Sequence, residues 1–587
     1  MSRLLPLSQA IALHVEPGMH VHFASTPSRS NAAVRELSRY FLDQRPELVL
    51  SATGFHSAAH TLALLGLGAR YVGCFFGDNH PAPRPNPLYQ KLARQRGTLE
   101  HWSLLAYVLA LRAGALGHPY AVMTSAGQSD LGAELARAGR LFEVPDPRGG
   151  PEPVRLLTPL VPDVAFLHGA VGTASGRALF CPPFGEGFWG ALAAKRGVIV
   201  TVERIVGEHE LDAFPELVPL PAARVLAIAE EPFGAHPQPL YVGARVRNVS
   251  GYADDFDAYE LWRELAQDPQ RFAEYRRLVL EAPDGREGYL DFAGRARLAS
   301  LAPTSRERAR AVQSRSRSYS GTRARALTPS LRAIAQTRVE PSRADLWVLL
   351  AARTIARRVV EQQHGAVLAG IGQGFGAARL AFALLGRQAE DIELLVETGI
   401  SGFDARAAHP FLLSAQNMAL ARRLSSVEEN LGAVACGRQN RCLAVVGCAQ
   451  VDAQGNLNSS FVEGRLVVGS GGAADLTAAA RDVVVLCRAD RLVARVQYVT
   501  SPGERVRAIV TEDAVLERES AGASWELTAG AFGERGPQAL AASLPFPVVV
   551  REGATPFQPS TFELAALARL FAEPDASSRP EAERAHG

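Results

Sequence analysis

The sequence lacks any apolar run of the roughly 18–20 residues that a membrane-spanning helix needs. Near the amino terminus, Pro6, Ser8, Gln9 and His14 interrupt the apolar residues, so no secretory signal peptide is expected. Both absences predict a cytoplasmic protein that does not contact a membrane.

Net charge and cysteine are also scarce. The 62 lysines and arginines nearly balance the 60 aspartates and glutamates, which leaves a formal net charge of +2. Such a balance produces no overall field that would attract nucleic acid, so nucleic acid is not an expected partner. The six cysteines are too irregularly spaced for a zinc site and too few for a disulfide scaffold. We expect them to be reduced and buried.

Apolar segments alternate with amphipathic helical patterns along both halves of the chain, which is typical of α/β sheets with largely parallel strands. The predicted strands of the first half lie in HVHFAS, LVLSAT, YVGCFFG, YAVMTS, VAFLHGAV, GVIVTVERIV and RVLAIAEE. Those of the second half lie in GAVLAGIG, IELLVETG, LAVVGCAQVD, RDVVVLCRA, RAIVTED and PFPVVV. Because 587 residues exceed what one hydrophobic core usually supports, we predict two open, largely parallel sheet domains.

A segment rich in arginine and serine separates the two halves. Such a composition buries too little apolar surface to offset the entropy of ordering, so residues 301–345 are predicted to form an exposed or flexible joint. A basic tract that binds nucleic acid is the alternative, but Tyr319 is its only aromatic residue. The predicted domains are therefore residues 1–300 and residues 346–587.

Glu397 follows the apolar strand of LLVETGISG and is flanked by Gly399 and Gly402. A strand that ends at Val396 would place Glu397 at the carboxyl edge of a sheet, where open α/β folds bind their ligands. Backbone amides of neighbouring glycines could keep this carboxylate ionised, as a nucleophile or base. A helix-capping or surface acid is the alternative interpretation.

Two glycine-rich loops in the same half support a functional role for Glu397. AGIGQGFG contains Gly372 and Gly374, and VVGSGGAAD contains the run from Gly469 through Ser470 and Gly471 to Gly472. Each loop lies between a strand and a helix, where backbone N–H groups can face an anion or a polarised carbonyl. Neither loop matches a Walker lysine loop or the dinucleotide-binding fingerprint, so an acyl-transfer site fits better than a nucleotide cradle.

The order of motifs in the second half resembles the β subunit of the glutaconate-type (family I) coenzyme A transferases. These motifs are HGAVLAGIGQG, LLVETGISG, CAQVDAQGNLNSS, RLVVGSGGAADLT and VQYVTSPG. The first half resembles the α subunit in VEPGMHVHFASTPSRSNAAVREL, TLEHWSLLAYVLALRAGALGHPY, VPDVAFLHG, VIVTVERIV and EEPFGAHPQPLY, and a helical tail follows at residues 256–294. The resemblance implies that both subunits are fused in one chain and pack as a pseudo-αβ dimer.

The resemblance also implies a mechanism. In that family, the carboxylate that matches Glu397 attacks an acyl-CoA thioester and forms an acyl-glutamyl anhydride. The released thiolate then attacks the glutamyl side of the anhydride and forms a glutamyl-CoA thioester, from which a second carboxylic acid collects the coenzyme A. Gly372, Gly374, Gly402 and residues 469–472 are the candidates for binding the acyl-CoA and stabilising each oxyanion.

The first half departs from the family pattern in three places. Glu100, in TLEHWS, occupies the position where ring-opening hydrolases of the same superfamily have a basic glutamate; it could equally be an acid at the start of a helix. Ser25 and Thr26 stand in place of glycines after the first strand, and His56 and Ser57 stand in a second such turn. These substitutions predict an altered acyl pocket, in which His56 could act as an acid or base.

Several alternatives stay open at the level of sequence. Thioester hydrolysis, cleavage of a carbon–carbon bond and decarboxylation all suit the same scaffold, and non-catalytic ligand-binding relatives of the fold exist. The expected partners are an acyl-CoA and a small carboxylic acid, although a carrier-protein thioester could replace the acyl-CoA. Coenzyme A is expected as a substrate, with no cofactor and no metal. The family's habit of assembly predicts a homo-oligomer.

Overall fold

The computed structural model contains two large mixed sheets, one from each half of the chain. The structure describes residues 2–24, 27–125, 127–247, 249–302, 341–532 and 536–571. Residues 303–340, which make up most of the predicted joint, lie outside these ranges. The predicted joint and domain limits therefore stay predictions.

The first sheet has eight strands in the spatial order β8-β7-β5-β1-β2-β3-β4, with β6 paired to β5. In chain order these are β1 (His20–Phe23), β2 (Leu48–Ser51), β3 (Gly68–Gly73), β4 (Leu99–His101), β5 (Val164–Gly172), β6 (Ala178–Leu179), β7 (Gly197–Ile205) and β8 (Val225–Glu230). All pairs are parallel except β5 with β6. Strand β5 is buried along its whole length, as expected of a parallel strand covered on both faces.

The second sheet has ten strands in the spatial order β12-β11-β10-β9-β13-β14-β15-β16-β17-β18. In chain order these are β9 (Ala366–Ala369), β10 (Glu393–Val396), β11 (Ile400–Ser401), β12 (Arg423–Leu424), β13 (Cys442–Gly447), β14 (Asp482–Leu486), β15 (Val506–Val510), β16 (Ala514–Glu517), β17 (Trp525–Gly530) and β18 (Val548–Pro556). The five strands that lie from β10 to β15 in the spatial order are mutually parallel. Antiparallel hairpins extend the sheet at both sides.

Helices cover both sheets. In the first half the α-helices are Leu7–His14, Asn31–Tyr40, His60–Leu64, Pro87–Ala93, Leu104–Leu116, Asp130–Arg137, Trp189–Ala193, Glu208–Asp212, Phe256–Leu265, Pro269–Tyr275, Gly285–Ala293 and Arg295–Ser300. In the second half they are Arg343–Glu361, Gln373–Leu385, Ala415–Leu420, Ala473–Ala479, Gly536–Ser543 and Thr561–Phe571. π-Helical turns occur at Arg276–Leu280 and Glu428–Ala435.

The predicted α/β class with two largely parallel sheets is confirmed, and one strand differs from the prediction. Ala121–Met123, from YAVMTS, pairs in a separate three-stranded antiparallel sheet with Leu141–Val144 and Val154–Leu157 rather than joining the first sheet. Its apolar run resembles a sheet strand locally, but its partners lie far along the chain, and periodicity does not reveal which partners a strand takes.

One hydrophobic core joins the two halves. Trp102 and Tyr107 of the first half belong to the same buried cluster as Leu395, Leu431 and Val485 of the second half. Backbone hydrogen bonds also cross the junction, including Phe76 N–H to the Val468 carbonyl at 2.7 Å. Loops that follow strands of both sheets therefore meet at this junction.

Candidate active site

Glu397 is positioned by the tight turn that follows β10. Gly399 has a φ of +110°, a left-handed conformation that L side chains rarely adopt. A Cβ at Gly399 would also lie 2.3 Å from the Ser425 carbonyl oxygen. Glycine is therefore required there, and it lets the chain fold back into β11 directly after Glu397.

The carboxylate of Glu397 rests against the second glycine-rich loop. The Gly472 N–H donates a hydrogen bond to this carboxylate, and a Cβ at Gly472 would lie 2.5 Å from Glu397 Oε2. Gly469, with a φ of +111°, similarly approaches the Cys74 carbonyl of the first half. The loop is thus built so that backbone, and not side chain, faces the carboxylate.

Asp475 lies behind this loop, in the first turn of the helix Ala473–Ala479. Its Oδ1 accepts hydrogen bonds from the hydroxyls of Ser103 at 2.7 Å and Ser125 at 2.5 Å, and its Oδ2 accepts one from the Leu105 N–H at 2.9 Å. All three donors belong to the first half. Asp475 is fully buried, so it fixes the Gly472 loop to the opposite half of the chain.

The environment of Glu397 makes its carboxylate a weak acid. The pKa of Glu397 is raised to about 7, first by burial and then by the nearby Asp475 carboxylate, while the Gly472 hydrogen bond opposes both effects. Burial likewise raises the pKa of Asp475 to about 6, against its three hydrogen bonds. Near neutral pH, Glu397 can therefore exchange a proton and still be ionised in a large fraction of molecules.

Glu397 lines a cavity of about 1030 Å³ at the junction of the halves. Most of the sequence-predicted glycine-loop residues line the same cavity: Gly372, Gly374, Gly469, Ser470, Gly471 and Gly472. The first half contributes Phe75, Ala82, Pro83, Pro85 and Gln90. The structure thus brings both glycine-rich loops and the strand-end acid to one site.

The cavity has cationic as well as apolar lining. Arg343 pairs with Asp513, and Arg488 pairs with Asp490. Within the described ranges, Arg465 and Arg491 form no ion pair, although both line the cavity. These two guanidinium groups are available for an anionic ligand group.

Glu100 is a predicted catalytic residue that the structure does not bring to this cavity. Its Oε1 accepts hydrogen bonds from Trp102 Nε1 at 3.0 Å and Arg140 Nε at 3.0 Å, and its Oε2 lies 3.4 Å from Arg70 Nη1. Glu100 is 9% exposed and is absent from the cavity lining. Because cations occupy both of its oxygens, its geometry is that of a structural ion pair.

The remaining predicted residues lie beside the cavity rather than in it. The buried His56 ring packs edge-on against Phe75, which lines the cavity, with ring centroids 6.3 Å apart. Burial, followed by Arg29 and His60, lowers the pKa of His56 well below its usual value. Ser57 follows it with a φ of +56°. Gly402 closes the hairpin of β10 and β11 outside the lining, where its N–H donates to the Leu394 carbonyl.

Two of the predicted acyl-pocket residues, Ser25 and Thr26, lie outside the described residues. Sequence reasoning missed the partners of Asp475 in the first half, Ser103 and Ser125. The position of Asp475 three residues after Gly472 marks it as an acid in the first turn of a helix, but no sequence signal identifies hydroxyl partners 350 and 372 positions away.

Neither a membrane-spanning helix nor a metal site occurs in the described part of the chain. None of the described helices combines the length and apolar character needed to cross a membrane. In the same residues, no group of three or more histidine, cysteine, aspartate or glutamate side chains is arranged to hold a metal ion. His60, for example, is engaged by Asp78 and Tyr89 at 3.0 Å each.

Comparisons with known proteins point to one family. The family model described as coenzyme A transferase matches residues 6–230. One of the two subunits of glutaconate CoA-transferase from Acidaminococcus fermentans is 26% identical over 293 residues, which correspond to 44% of this chain and 87% of that protein.

Solved structures extend the likeness to both halves. The acyl-CoA transferase of Escherichia coli O157:H7, as apoenzyme, has a TM-score of 0.61 at 14% identity and covers 97% of this chain and 96% of its own. Its thioester complex with CoA has a TM-score of 0.59 at 13% identity and covers 95% of each chain. At these identities the comparison establishes a common fold over nearly the whole chain.

Proposed function

Residues 6–230 belong to the coenzyme A transferase family, and from that premise we propose that the chain transfers coenzyme A from an acyl-CoA thioester to a carboxylic acid through Glu397. The observation that supports this most directly is the carboxylate of Glu397, which lines the large cavity and rests against backbone at Gly472. A nucleophilic carboxylate needs such an unencumbered position, because a covalent bond must form at its oxygen.

In the proposed reaction, a Glu397 oxygen attacks the thioester carbonyl and the C–S bond breaks. This step forms an acyl-glutamyl anhydride and coenzyme A thiolate. The thiolate then attacks the glutamyl carbonyl and releases the carboxylate of the donor acid. The acceptor acid attacks the resulting glutamyl-CoA thioester, and the returning thiolate attacks the acceptor's acyl carbonyl. Glu397 is regenerated, so each half-reaction balances without a cofactor.

Each of these steps passes through an oxyanion. Fixed backbone N–H groups aimed at an oxyanion typically contribute about 3–4 kcal/mol each. The loops that contain Gly372 and Gly471 are the candidates for this role, since both line the cavity with Glu397. Their backbone dipoles would stabilise the charge that develops during the reaction.

The walls of the cavity suit an extended acyl-CoA. Apolar side chains, including Val446, Val467 and Leu476, contribute to its lining and suit the pantetheine arm. Arg465 and Arg491 supply cations that suit phosphate groups. A carrier-protein thioester would present the same pantetheine arm, so an assay with both kinds of donor is needed to distinguish them.

A second candidate is hydrolysis or carbon–carbon bond cleavage of an acyl thioester, with Glu397 as the base. The observation in its favour is the pKa of Glu397, raised to about 7, because a general base works best with a pKa near the operating pH. Glu100 is a weaker candidate for that base, since Arg140 and Arg70 hold its carboxylate outside the cavity. Its predicted catalytic role stays a prediction.

The test is a product assay on purified protein with a panel of acyl-CoAs and acyl-carrier-protein thioesters, each with and without acetate or another acceptor acid. Coenzyme A transfer predicts a new acyl-CoA that appears only when the acceptor is present. Mass spectrometry after hydroxylamine or borohydride treatment should then find a modified Glu397. Glu397→Gln should lose this modification and nearly all transfer.

Glu393→Gln is the matched control, because Glu393 is an exposed glutamate at the start of the same strand. It should retain both transfer and labelling. Loss of acyl-CoA without an acceptor would favour the hydrolytic or lyase candidate. Transfer by a chain whose Glu397 is never modified, or undiminished transfer by Glu397→Gln, would exclude the proposed intermediate.

A further inference from the structure

A second cavity, of about 560 Å³, lies within the first half of the chain. It is bounded by residues 4–8, the helix Asn31–Tyr40, the end of β8 and the loop at residues 283–286. None of its lining residues lines the cavity of Glu397. The two cavities are therefore separate sites.

Arg35 is the unusual residue of this second cavity. Its side chain lines the cavity, yet the residue is only 5% exposed. The guanidinium stacks on the ring of Tyr289 at 3.5 Å, and its buried Nη1 has no hydrogen-bond partner. Among the described residues, Arg35 forms no ion pair. A buried guanidinium without a counter-ion is costly, and this cost favours a bound anion.

Glu231 faces the same cavity and is also unpaired. Within the described part of the chain, no ion pair joins Glu231 to Arg35 or to any other cation. Burial raises the pKa of Glu231 to about 7, although Arg35 and Arg286 act in the opposite direction. The cavity thus holds one guanidinium and one carboxyl group that are close enough to interact electrostatically but do not close on each other.

The other charged groups around this cavity already have partners. Arg39 pairs with Glu36 at 3.1 Å, and Arg286 pairs with Glu287 at 3.4 Å. Glu230 accepts a hydrogen bond from the Ile205 N–H at 2.7 Å, and Asp284 caps the helix Gly285–Ala293. Arg35 and Glu231 therefore remain to be matched by a ligand, one as donor to an anion and the other as acceptor from a cation.

We propose that this cavity binds a small zwitterion of the α-amino-acid class, with its carboxylate on Arg35 and its ammonium on Glu231. A planar guanidinium binds a carboxylate through two parallel N–H donors. A carboxyl group kept from pairing with Arg35 is free to accept from an ammonium. A simple phosphate or carboxylate would satisfy Arg35 but would leave Glu231 as a repulsive neighbour. The site is independent of the proposed transfer reaction.

Isothermal titration of the full chain tests the proposal. The probes are glycine, L-alanine, L-leucine and L-glutamate, together with propionate, ethylamine and inorganic phosphate. We expect at least one amino acid to bind with a stoichiometry of one and more tightly than any of the single-charge probes. Arg35→Gln and Glu231→Gln should each weaken this binding at least about tenfold, because each leaves one ligand charge unpaired.

Three controls tie the expected binding to the second cavity. Arg196→Gln, which changes an exposed arginine paired with Glu16, should leave binding unchanged. Glu397→Ala should also leave it unchanged, which excludes binding of the amino acid as a carboxylic acid in the large cavity. Circular dichroism must show a native fold for each variant, and Glu231→Gln provides the test if Arg35→Gln does not fold.

Absence of binding by all four amino acids would overturn the proposal. It would also be overturned if phosphate or propionate bound as tightly as the amino acids, or if Glu231→Gln bound them like the unaltered chain. Failure of the coenzyme A assay would not affect these measurements, since they contain no acyl-CoA.

Discussion

At the scale of single residues, the site depends on how Glu397 and Asp475 share a buried volume. Asp475 is held by three donors of the opposite half, so its charge is tolerated although it is fully buried. Its negative charge is the second cause, after burial, of the raised pKa of Glu397. Asp475 is thus a positioning residue that also adjusts the acidity of the proposed nucleophile.

The first prediction concerns the pH dependence of the proposed transfer. Attack requires ionised Glu397, so kcat/KM should rise with pH and level off above the pKa of about 7. In Asp475→Asn the repulsion is absent, so the rising limb should shift to lower pH. The control is Glu393→Gln, which should keep the original profile. An unshifted limb in Asp475→Asn would contradict this electrostatic role.

The second prediction concerns stability. The pKa of Glu397 is raised from 4.5 to about 7 in the folded chain, so the folded state holds a proton that the unfolded state has lost between these values. Its contribution to the free energy of unfolding is therefore fully present below about pH 4.5 and is lost as pH rises to about 7. Glu397→Gln has no such loss.

Urea unfolding at pH 5 and pH 8 measures this effect. The free energy of unfolding of Glu397→Gln, relative to the unaltered chain, should be higher at pH 8 than at pH 5. The exposed control Glu393→Gln should show no comparable change. An equal difference at both pH values would mean that Glu397 titrates in the folded chain much as it does in the unfolded chain.

At the scale of elements, the site is a meeting of loops that follow parallel strands. The turn after β10 presents Glu397, the loop after β9 presents Gly372, and the loop before the helix Ala473–Ala479 presents Gly472. Parallel strands deliver their carboxyl ends to one edge of the sheet. Glycine then lets the backbones approach closely where side chains would fill the space.

The third prediction is that Gly472→Ala severely impairs turnover. The added Cβ would lie 2.5 Å from Glu397 Oε2, so the carboxylate must move. A displacement of about 1 Å in a reacting group can lower the rate about 10²-fold. The measurement is kcat of the proposed transfer, together with hydroxylamine labelling of Glu397.

Gly447→Ala is the matched control for this change. Gly447 also lines the cavity, but the nearest neighbour of an added Cβ is the Leu486 carbonyl oxygen at 3.9 Å. We expect nearly full activity from this variant. Equal losses in both variants would indicate that any methyl group in the cavity interferes, and would remove the specific role of Gly472.

At the scale of the whole molecule, the two halves behave as one unit because contacts join them at many points. The Phe184 N–H donates to the Ser425 carbonyl at 2.8 Å, and the Val427 N–H donates to the Gly185 carbonyl at 2.7 Å. Trp189 Nε1 also donates to Glu428 at 2.9 Å. These contacts form outside the predicted joint, so we expect the junction not to depend on covalent linkage through it.

The fourth prediction follows from this arrangement. A specific protease site placed between residues 303 and 340 should be cleavable without loss of activity, because both pieces contribute to the shared core. The two pieces should co-elute on gel filtration and separate only in denaturant. Dissociation in native buffer would show that the joint, and not the interface, keeps the halves together.

Much of the fold could be predicted from local patterns. Alternation of apolar strands with amphipathic helices indicated the α/β class, and the main-sheet strands β1, β5, β7 and β9 lie within predicted segments. The antiparallel additions β16 and β17 were missed, as was the separate pairing of Ala121–Met123. Edge hairpins and small sheets depend on partner choice, which a single strand's periodicity does not encode.

The site divides along the same line. Sequence by itself determined that Glu397 follows a buried strand and that glycines flank it, because strand periodicity and glycine's conformational freedom are local properties. Only the tertiary structure decided that Asp475 bonds to Ser103 and Ser125, that Arg70 and Arg140 engage Glu100, and that Arg35 faces a second cavity. Such groups meet through sheet order and the packing of two halves, which bring together residues hundreds of positions apart.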